Sequence, residues 1–163
     1  MRNTPSDRTQ SDTPRDVRTG DPDLPVLIVD DDVGIRRVHS KLLEREGFTV
    51  SAVGDALAAF EALQTTQFGV ILCDIQMPGL SGTSFFEQLE ERLPQMASRV
   101  VFVSGYIDQH ETHEFLVRTG QPFLSKPASA DQMVDIVGQM IERCRRESGL
   151  FLNPPNGAPE NSS

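Results

Sequence analysis

The chain has 163 residues, and 24 Asp and Glu residues against 15 Lys and Arg residues give it a formal charge of −9. This length predicts one domain with an ordinary buried core, and the negative charge argues against nucleic acid as a partner. No apolar stretch is long enough to cross a bilayer and no secretory signal is visible, so we expect a cytoplasmic protein that does not bind membranes.

Both ends of the chain are too polar to form a packed structure. Residues 1–23 hold Val17 as their one aliphatic residue after Met1, and residues 153–163 read NPPNGAPENSS. Such segments bury too little apolar surface to offset the entropy lost on ordering. We predict a disordered N-terminal tail over 1–23, one domain over 24–147 and a flexible C-terminal tail over 148–163.

The domain begins with a strand, a helix and a second strand. Pro25–Val29 is a continuous apolar run of strand length, typical of a strand buried on both faces. Asp32 stands where a helix N-cap is expected, and Gly47 stands where that helix would stop. Phe48–Val53 then reads as the second strand.

The same alternation of strand and helix continues to residue 147. The later predicted elements are a helix after Asp55, a strand over Gly69–Cys73, a helix with apolar residues from Phe85 to Leu93, a strand over Val100–Val103, a helix over 108–119, a strand at Phe123 and Leu124, and a helix from Met133 to Cys144. Five strand–helix pairs with short connections predict an α/β doubly wound domain with a parallel sheet.

Polar residues follow most of the predicted strands. Ligand sites in such sheets lie at the carboxyl ends of the strands. We therefore expect one site built from residues at these ends: Asp30 and Asp31 after strand one, Asp74 after strand three, Ser104 after strand four and Lys126 after strand five.

The residue types at this edge predict a chemistry. Three carboxylates, from Asp30, Asp31 and Asp74, repel one another unless a cation lies between them. Donor atoms that are all oxygen favour magnesium (Mg2+) over zinc. Lys126 adds a fixed positive charge and Ser104 a hydroxyl group. A carboxylate nucleophile, a metal ion, an ammonium and a hydroxyl are the groups that phosphoryl transfer requires.

Four short motifs in this order and spacing resemble the receiver domain of two-component response regulators. They are VDDD at 29–32, CDIQMPGLSG at 73–82, FVSG at 102–105 and LSKP at 124–127. The resemblance covers about residues 24–147. It implies a flavodoxin-like fold with five helices around a five-stranded parallel sheet in the order 2-1-3-4-5.

The resemblance also implies roles for the acidic residues. Asp74 would be the phosphoacceptor, taking its phosphoryl group from a phosphohistidine. Asp31 and Asp74 would bind magnesium directly, with the backbone carbonyl of Gln76 as a third ligand, and Asp30 would hold the ion mainly through water. Lys126 would pair first with Asp74 and then with the phosphoryl oxygens.

A switch pair and a cis peptide bond belong to the same resemblance. Ser104 would move its hydroxyl to the phosphoryl group, and the ring of Phe123 would turn inward behind it. The Lys126–Pro127 peptide bond is expected to be cis. The output would be a changed protein-binding surface within residues 106–147.

The resemblance predicts a stand-alone regulator, not an enzyme, in a two-component or phosphorelay pathway. Its partners would be a sensor histidine kinase or a histidine phosphotransfer protein, and an output protein. Two alternatives remain open. One is a magnesium-dependent hydrolase with an aspartyl-phosphate intermediate, although such phosphatases resemble DxDx(T/V) where this chain has Asp30-Asp31-Asp32-Val33. The other is a receiver that only binds.

Overall fold

The structure, a computed structural model, describes residue 21 and residues 23–152, with side chains described as far as residue 148. Strands and helices alternate along almost all of this range. In chain order they are β1 (Val26–Val29), α1 (Val33–Arg45), β2 (Val50–Val53), α2 (Ala56–Thr65), β3 (Val70–Asp74), α3 (Gly82–Arg92), α4 (Pro94–Ala97), β4 (Val100–Ser104), α5 (His110–Thr119), β5 (Phe123–Ser125) and α6 (Ala130–Leu152).

The five strands form one parallel sheet in the order β2-β1-β3-β4-β5. The predicted fold class and strand order are therefore confirmed.

The register of the strands decides where the site forms. Val29 of β1 pairs with Cys73 of β3, so Asp30 and Asp74 each follow a member of the same pair. Ser104 of β4 pairs with Ser125 of β5, which brings Lys126 to the same edge.

Apolar side chains cover both faces of the sheet, because successive residues of a strand point to opposite faces. In β3, Val70 and Leu72 belong to a core that includes buried residues of α1 and α6. Ile71 and Cys73 belong to a second core, formed with α2, α3 and α5. The sheet is thus buried on both faces, as the continuous apolar runs predicted.

Aspartate side chains begin the helices α1 and α2. Asp32 accepts a hydrogen bond from the backbone N–H of Ile35 at 3.0 Å, and Asp55 accepts one from Ala58 at 2.8 Å. The predicted N-cap Asp32 and the predicted helix start after Asp55 are therefore confirmed. Each helix begins directly after a strand end, so the caps fix the loops that carry the site.

Several elements differ from the predicted ones. The strand β2 begins at Val50 rather than Phe48, although Phe48 is itself buried. The short helix α4 was not predicted; Pro94 occupies its first turn, where the missing N–H of proline costs nothing. Helix α6 continues to Leu152, past the expected domain end at residue 147.

The predicted tails lie mostly outside the described residues, namely 1–20, 22 and 153–163. Asp21 is an exception within the N-terminal tail. Its carboxylate accepts a hydrogen bond from Nε of Arg145 in α6 at 2.9 Å. Among the helices of the described ranges, none has the length and apolar character needed to cross a membrane.

Candidate functional site

Three carboxylates meet at the carboxyl ends of β1 and β3. Asp30 and Asp74 are almost fully buried, with 3% and 8% of their surface exposed, whereas Asp31 is exposed. One carboxylate oxygen from each of the three residues lies within 4.8 Å of the others. The sheet register therefore produces the acidic cluster that the sequence predicted at this edge.

Lys126 reaches this cluster from the end of β5. Its Nζ donates to Oδ2 of Asp30 at 2.8 Å and to Oδ2 of Asp74 at 3.1 Å. Its backbone N–H donates to the carbonyl of Ser104 at 2.8 Å, and the Lys126–Pro127 peptide bond is cis, as expected from the sequence. The ammonium thus bridges two carboxylates rather than pairing with Asp74 alone.

Backbone groups hold the remaining carboxylate oxygens of the two buried acids. Oδ1 of Asp30 accepts a hydrogen bond from the N–H of Asp32 at 2.9 Å. Oδ1 of Asp74 accepts one from the N–H of Gln76 at 3.1 Å. Each buried carboxylate therefore contacts one backbone donor and one side-chain ammonium, which fixes its orientation before any ligand arrives.

Burial dominates the electrostatics of the pair formed by Asp74 and Lys126. Burial raises the pKa of Asp74 above its ordinary value, and its hydrogen bonds to Lys126 and Gln76 offset this only in part. For Lys126, burial alone would lower the pKa, but the hydrogen bonds to Asp30 and Asp74 outweigh it and raise the pKa. The difference arises because one ammonium serves two carboxylates. Two hydrogen bonds offset the cost of burying the charge of Lys126, whereas the cost of burying the charge of Asp74 is offset only in part.

We expect Lys126→Met to lower the free energy of unfolding at neutral pH by about 3 kcal/mol, because two buried carboxylates then lack their cation. The pKa of Asp74 would rise further above its unfolded value, so ionisation would cost stability as the pH rises through that interval. The loss should therefore shrink at acidic pH. Urea unfolding at both pH values measures it.

Lys41→Met is the matched control, because Lys41 is the other lysine of the chain and lies exposed on α1. Its effect should stay within about 0.5 kcal/mol at both pH values. Equal losses from the two substitutions would contradict a stabilising role of the Lys126 bridge.

The hydroxyl of Ser104 lies in the floor of the site. Ser104 is 1% exposed, and its Oγ accepts a hydrogen bond from the backbone N–H of Tyr106 at 3.1 Å. Phe123, the other predicted switch residue, lies in β5 in register with Phe102, and 46% of its surface is exposed. The ring is thus directed away from the core in this structure.

A cavity of about 740 Å³ opens beside the acidic cluster, between the loop after β3 and helix α5. Asp31 and Gln76 lie along it. On its other side, Oε1 of Gln109 accepts a hydrogen bond from Nε2 of Gln76 at 3.3 Å. The site is therefore open to solvent and to a binding partner on the side of Asp31, whereas Asp30 is buried and does not line the cavity.

Comparison with known proteins identifies the family. The response regulator receiver domain family matches residues 26–138, a range that contains the acidic cluster, Ser104 and Lys126. The chain belongs to this family. Receiver domains are regulatory switches of two-component systems, and this agrees with the resemblance drawn from the four motifs.

Relatives and solved structures agree with this assignment. The receiver domain is 35% identical over 118 residues to the hydrogenase transcriptional regulatory protein HoxA of Cupriavidus necator, covering 72% of this chain and 24% of HoxA. It is 29% identical over 120 residues to the C4-dicarboxylate transport transcriptional regulatory protein DctD of Rhizobium meliloti, covering 74% of this chain and 26% of DctD. The chain therefore spans about a quarter of the length of these curated relatives.

A CheY-like response regulator receiver domain protein from Methanospirillum hungatei has a similar structure, with a TM-score of 0.68 and 26% identity. The match covers 76% of this chain and 98% of that protein. Because the match covers nearly the whole of that receiver domain, the described fold contains the strands and helices of a receiver domain. The prediction that this receiver domain stands alone stays a prediction.

Two further residues support the site and were missed in the sequence. Arg36 of α1 donates from a guanidinium nitrogen to the backbone carbonyl of Asp30 at 2.6 Å. Gly82, the first residue of α3, lies against the backbone of Asp74. Glycine is a poor helix former, so its presence at the first helical position, directly after the N-cap Ser81, was a usable sequence signal that the backbone of another element lies close by. The sequence carries no comparable signal for Arg36.

Proposed function

We propose that this receiver domain accepts a phosphoryl group on Asp74 from a phosphohistidine in a two-component or phosphorelay pathway. The observation that carries the proposal is the position of Lys126, whose ammonium lies between Asp74 and Asp30. A cation held against a buried carboxylate nucleophile is what stabilises charge on an incoming phosphoryl group. The donor would be a sensor histidine kinase or a histidine phosphotransfer protein.

The acidic cluster fits magnesium. Its donors are all oxygen atoms, and three of them lie within 4.8 Å of one another. Asp31 and Asp74 would hold the ion directly with the backbone carbonyl of Gln76, and Asp30 would hold it mainly through water. When bound, magnesium neutralises charge on the phosphoryl oxygens.

The proposed step forms one bond and breaks another. A carboxylate oxygen of Asp74 attacks phosphorus, the bond between phosphorus and the histidine nitrogen breaks, and the electron pair stays on the imidazole. Asp74 becomes an acyl phosphate. Lys126 then transfers its hydrogen bond from the Asp74 carboxylate to the phosphoryl oxygens, while its bond to Asp30 keeps the ammonium in place.

The output would be a change in the surface formed by residues 106–147. Ser104 would turn its hydroxyl from the N–H of Tyr106 toward the phosphoryl group, and Phe123 would turn inward. Exposed apolar side chains on this surface, including Val117 at 69% exposure, support its use as a protein-binding face. The negative charge supports the expectation that this domain itself contacts no nucleic acid, and we keep the proposal of a cytoplasmic location.

Intact mass spectrometry after incubation with acetyl phosphate tests the proposal. The expected result is one phosphoryl adduct in magnesium and none when a chelator removes the metal. Absence of an adduct from folded protein in magnesium would overturn the proposal and favour a receiver that only binds. Continuous release of inorganic phosphate from simple phosphate esters would instead favour the hydrolase alternative.

We expect Ser104→Ala to keep phosphorylation but lose its structural response, because the acceptor remains while the hydroxyl that follows it is gone. Hydrogen–deuterium exchange over residues 106–125, with and without acetyl phosphate, measures that response. Ser98→Ala, near the opposite end of β4, is the control and should respond like the wild type. A full exchange response in phosphorylated Ser104→Ala would contradict the switch role of Ser104.

A further inference from the structure

Every polar group of Asp30 has a partner, and one of these partners comes from α1. The N–H of Asp30 donates to the carbonyl of Val53 at 3.2 Å, and its carboxylate contacts Asp32 and Lys126. Its backbone carbonyl accepts from Arg36 at 2.6 Å. Arg36 is thus a direct contact of the residue that begins the acidic turn.

The carbonyl of Asp30 needs such a donor because it lies beyond the sheet. The last paired residue of β1 is Val29, which faces Val53 on one side and Cys73 on the other. Asp30 is almost fully buried, and a buried carbonyl without a donor costs free energy. The guanidinium of Arg36 therefore replaces a ladder hydrogen bond at the point where the chain leaves β1.

Gly54 provides the space for this contact. A side-chain carbon added at Gly54 would lie 3.0 Å from one terminal nitrogen of Arg36 and 3.4 Å from the guanidinium carbon. The guanidinium therefore lies across the backbone of Gly54, at the end of β2. An alanine there would require the guanidinium to shift by a few tenths of an ångström from the position in which it donates to the carbonyl of Asp30.

We infer that Arg36, in the space left by Gly54, is a positioning residue that fixes the backbone of the acidic turn and so sets the magnesium affinity of the site. It acts through Asp30 and Asp31, not by neutralising a carboxylate, because its contact is with a backbone carbonyl. The inference rests on the proposed function, since it concerns the metal that phosphorylation would use. Groups that orient metal ligands in this way commonly change affinity by about 10-fold or more.

The test measures the dissociation constant of magnesium by titration calorimetry on the full chain. The variants are Arg36→Ala, Arg36→Lys and Gly54→Ala, with Arg37→Ala as the matched control because Arg37 is the exposed neighbour on the same helix. Urea unfolding without magnesium gives the stability of each variant separately. Arg36→Ala should weaken magnesium binding by about 10-fold, Arg36→Lys should restore part of the affinity, and Arg37→Ala should stay within about 2-fold.

A double variant separates positioning from general damage. Gly54→Ala alone should weaken magnesium binding by displacing the guanidinium, but it should add nothing to Arg36→Ala, where no guanidinium remains. Gly54→Ala also serves if Arg36→Ala does not fold. The inference would be overturned if Arg36→Ala and Gly54→Ala each lowered stability but kept a magnesium affinity within about 2-fold of wild type.

The outcome for the wild type tells the two proposals apart. If wild-type protein binds magnesium and forms the adduct while Arg36→Ala binds magnesium equally well, only the role of Arg36 fails. If folded wild-type protein binds no magnesium, the metal site of the proposed function fails and the role of Arg36 fails with it.

Discussion

Asp74→Asn is expected to take up no phosphoryl group from acetyl phosphate, because an amide of the same shape has no nucleophilic carboxylate oxygen. Intact mass measured in magnesium should show the adduct for wild type and none for the variant. Asp32→Asn is the matched control: Asp32 lies two residues from Asp30, but its carboxylate caps α1, a role that asparagine performs equally well. This control should form the adduct.

An adduct on Asp74→Asn would show that another residue accepts the phosphoryl group. Loss of the adduct in both variants would mean that the acidic edge tolerates no change, and would leave the acceptor unassigned. Peptide mapping of the wild-type adduct to residues 70–76 then decides the acceptor directly.

The same variant carries a prediction about stability without magnesium. Burial raises the pKa of Asp74 above its ordinary value of 3.8, so folding disfavours the ionised form. A carboxyl group with a raised folded-state pKa costs stability as the pH rises above its unfolded pKa, and the cost stays at neutral pH. Asp74→Asn should therefore be more stable than wild type at neutral pH, with a smaller difference at pH values below about 4. Urea unfolding at both pH values measures this.

The second large effect is expected at Gly82, where α3 begins against the end of β3. A side-chain carbon at Gly82 would lie 2.1 Å from the carbonyl oxygen of Asp74 and 2.8 Å from Cα of Ile75. Both neighbours are backbone atoms, so no side-chain rotation relieves the clash. We expect Gly82→Ala to lower the free energy of unfolding by about 4 kcal/mol or more, measured by urea unfolding.

Gly105→Ala is the control for Gly82→Ala. It adds the same methyl group at the same edge of the sheet, but the nearest atom is Cβ of Lys126 at 3.9 Å, an ordinary contact. Its effect should stay within about 1 kcal/mol. If Gly82→Ala lost no more stability than this control, α3 would not need to approach Asp74 so closely in solution.

The fold and the main site residues could be predicted because their signals are local. Continuous apolar runs such as Pro25–Val29 predict strands buried on both faces, and the N-caps Asp32 and Asp55 mark where the next helices begin. The strand-end rule for parallel sheets then places residues distant in sequence at one edge. Asp74 and Lys126 are 52 residues apart in sequence, and the structure joins them directly.

The residues that could not be predicted depend on contacts between elements. Arg36 looks like any arginine on a solvated helix until the end of β2 and Gly54 are placed beside it. Gln109 reaches Gln76 only because the loop before α5 folds toward the loop after β3. The hydrogen bond from Lys126 to Asp30, in addition to the one to Asp74, likewise depends on the sheet register, which the motifs do not encode.

The position of Tyr106 has a practical consequence. The chain contains one tyrosine and no tryptophan, so its intrinsic fluorescence comes from the phenol ring of Tyr106. Tyr106 is 54% exposed, and its backbone N–H donates a hydrogen bond to the hydroxyl oxygen of Ser104. The unlabelled protein therefore carries an optical reporter two residues from its proposed switch, and its emission can be followed in real time during phosphorylation.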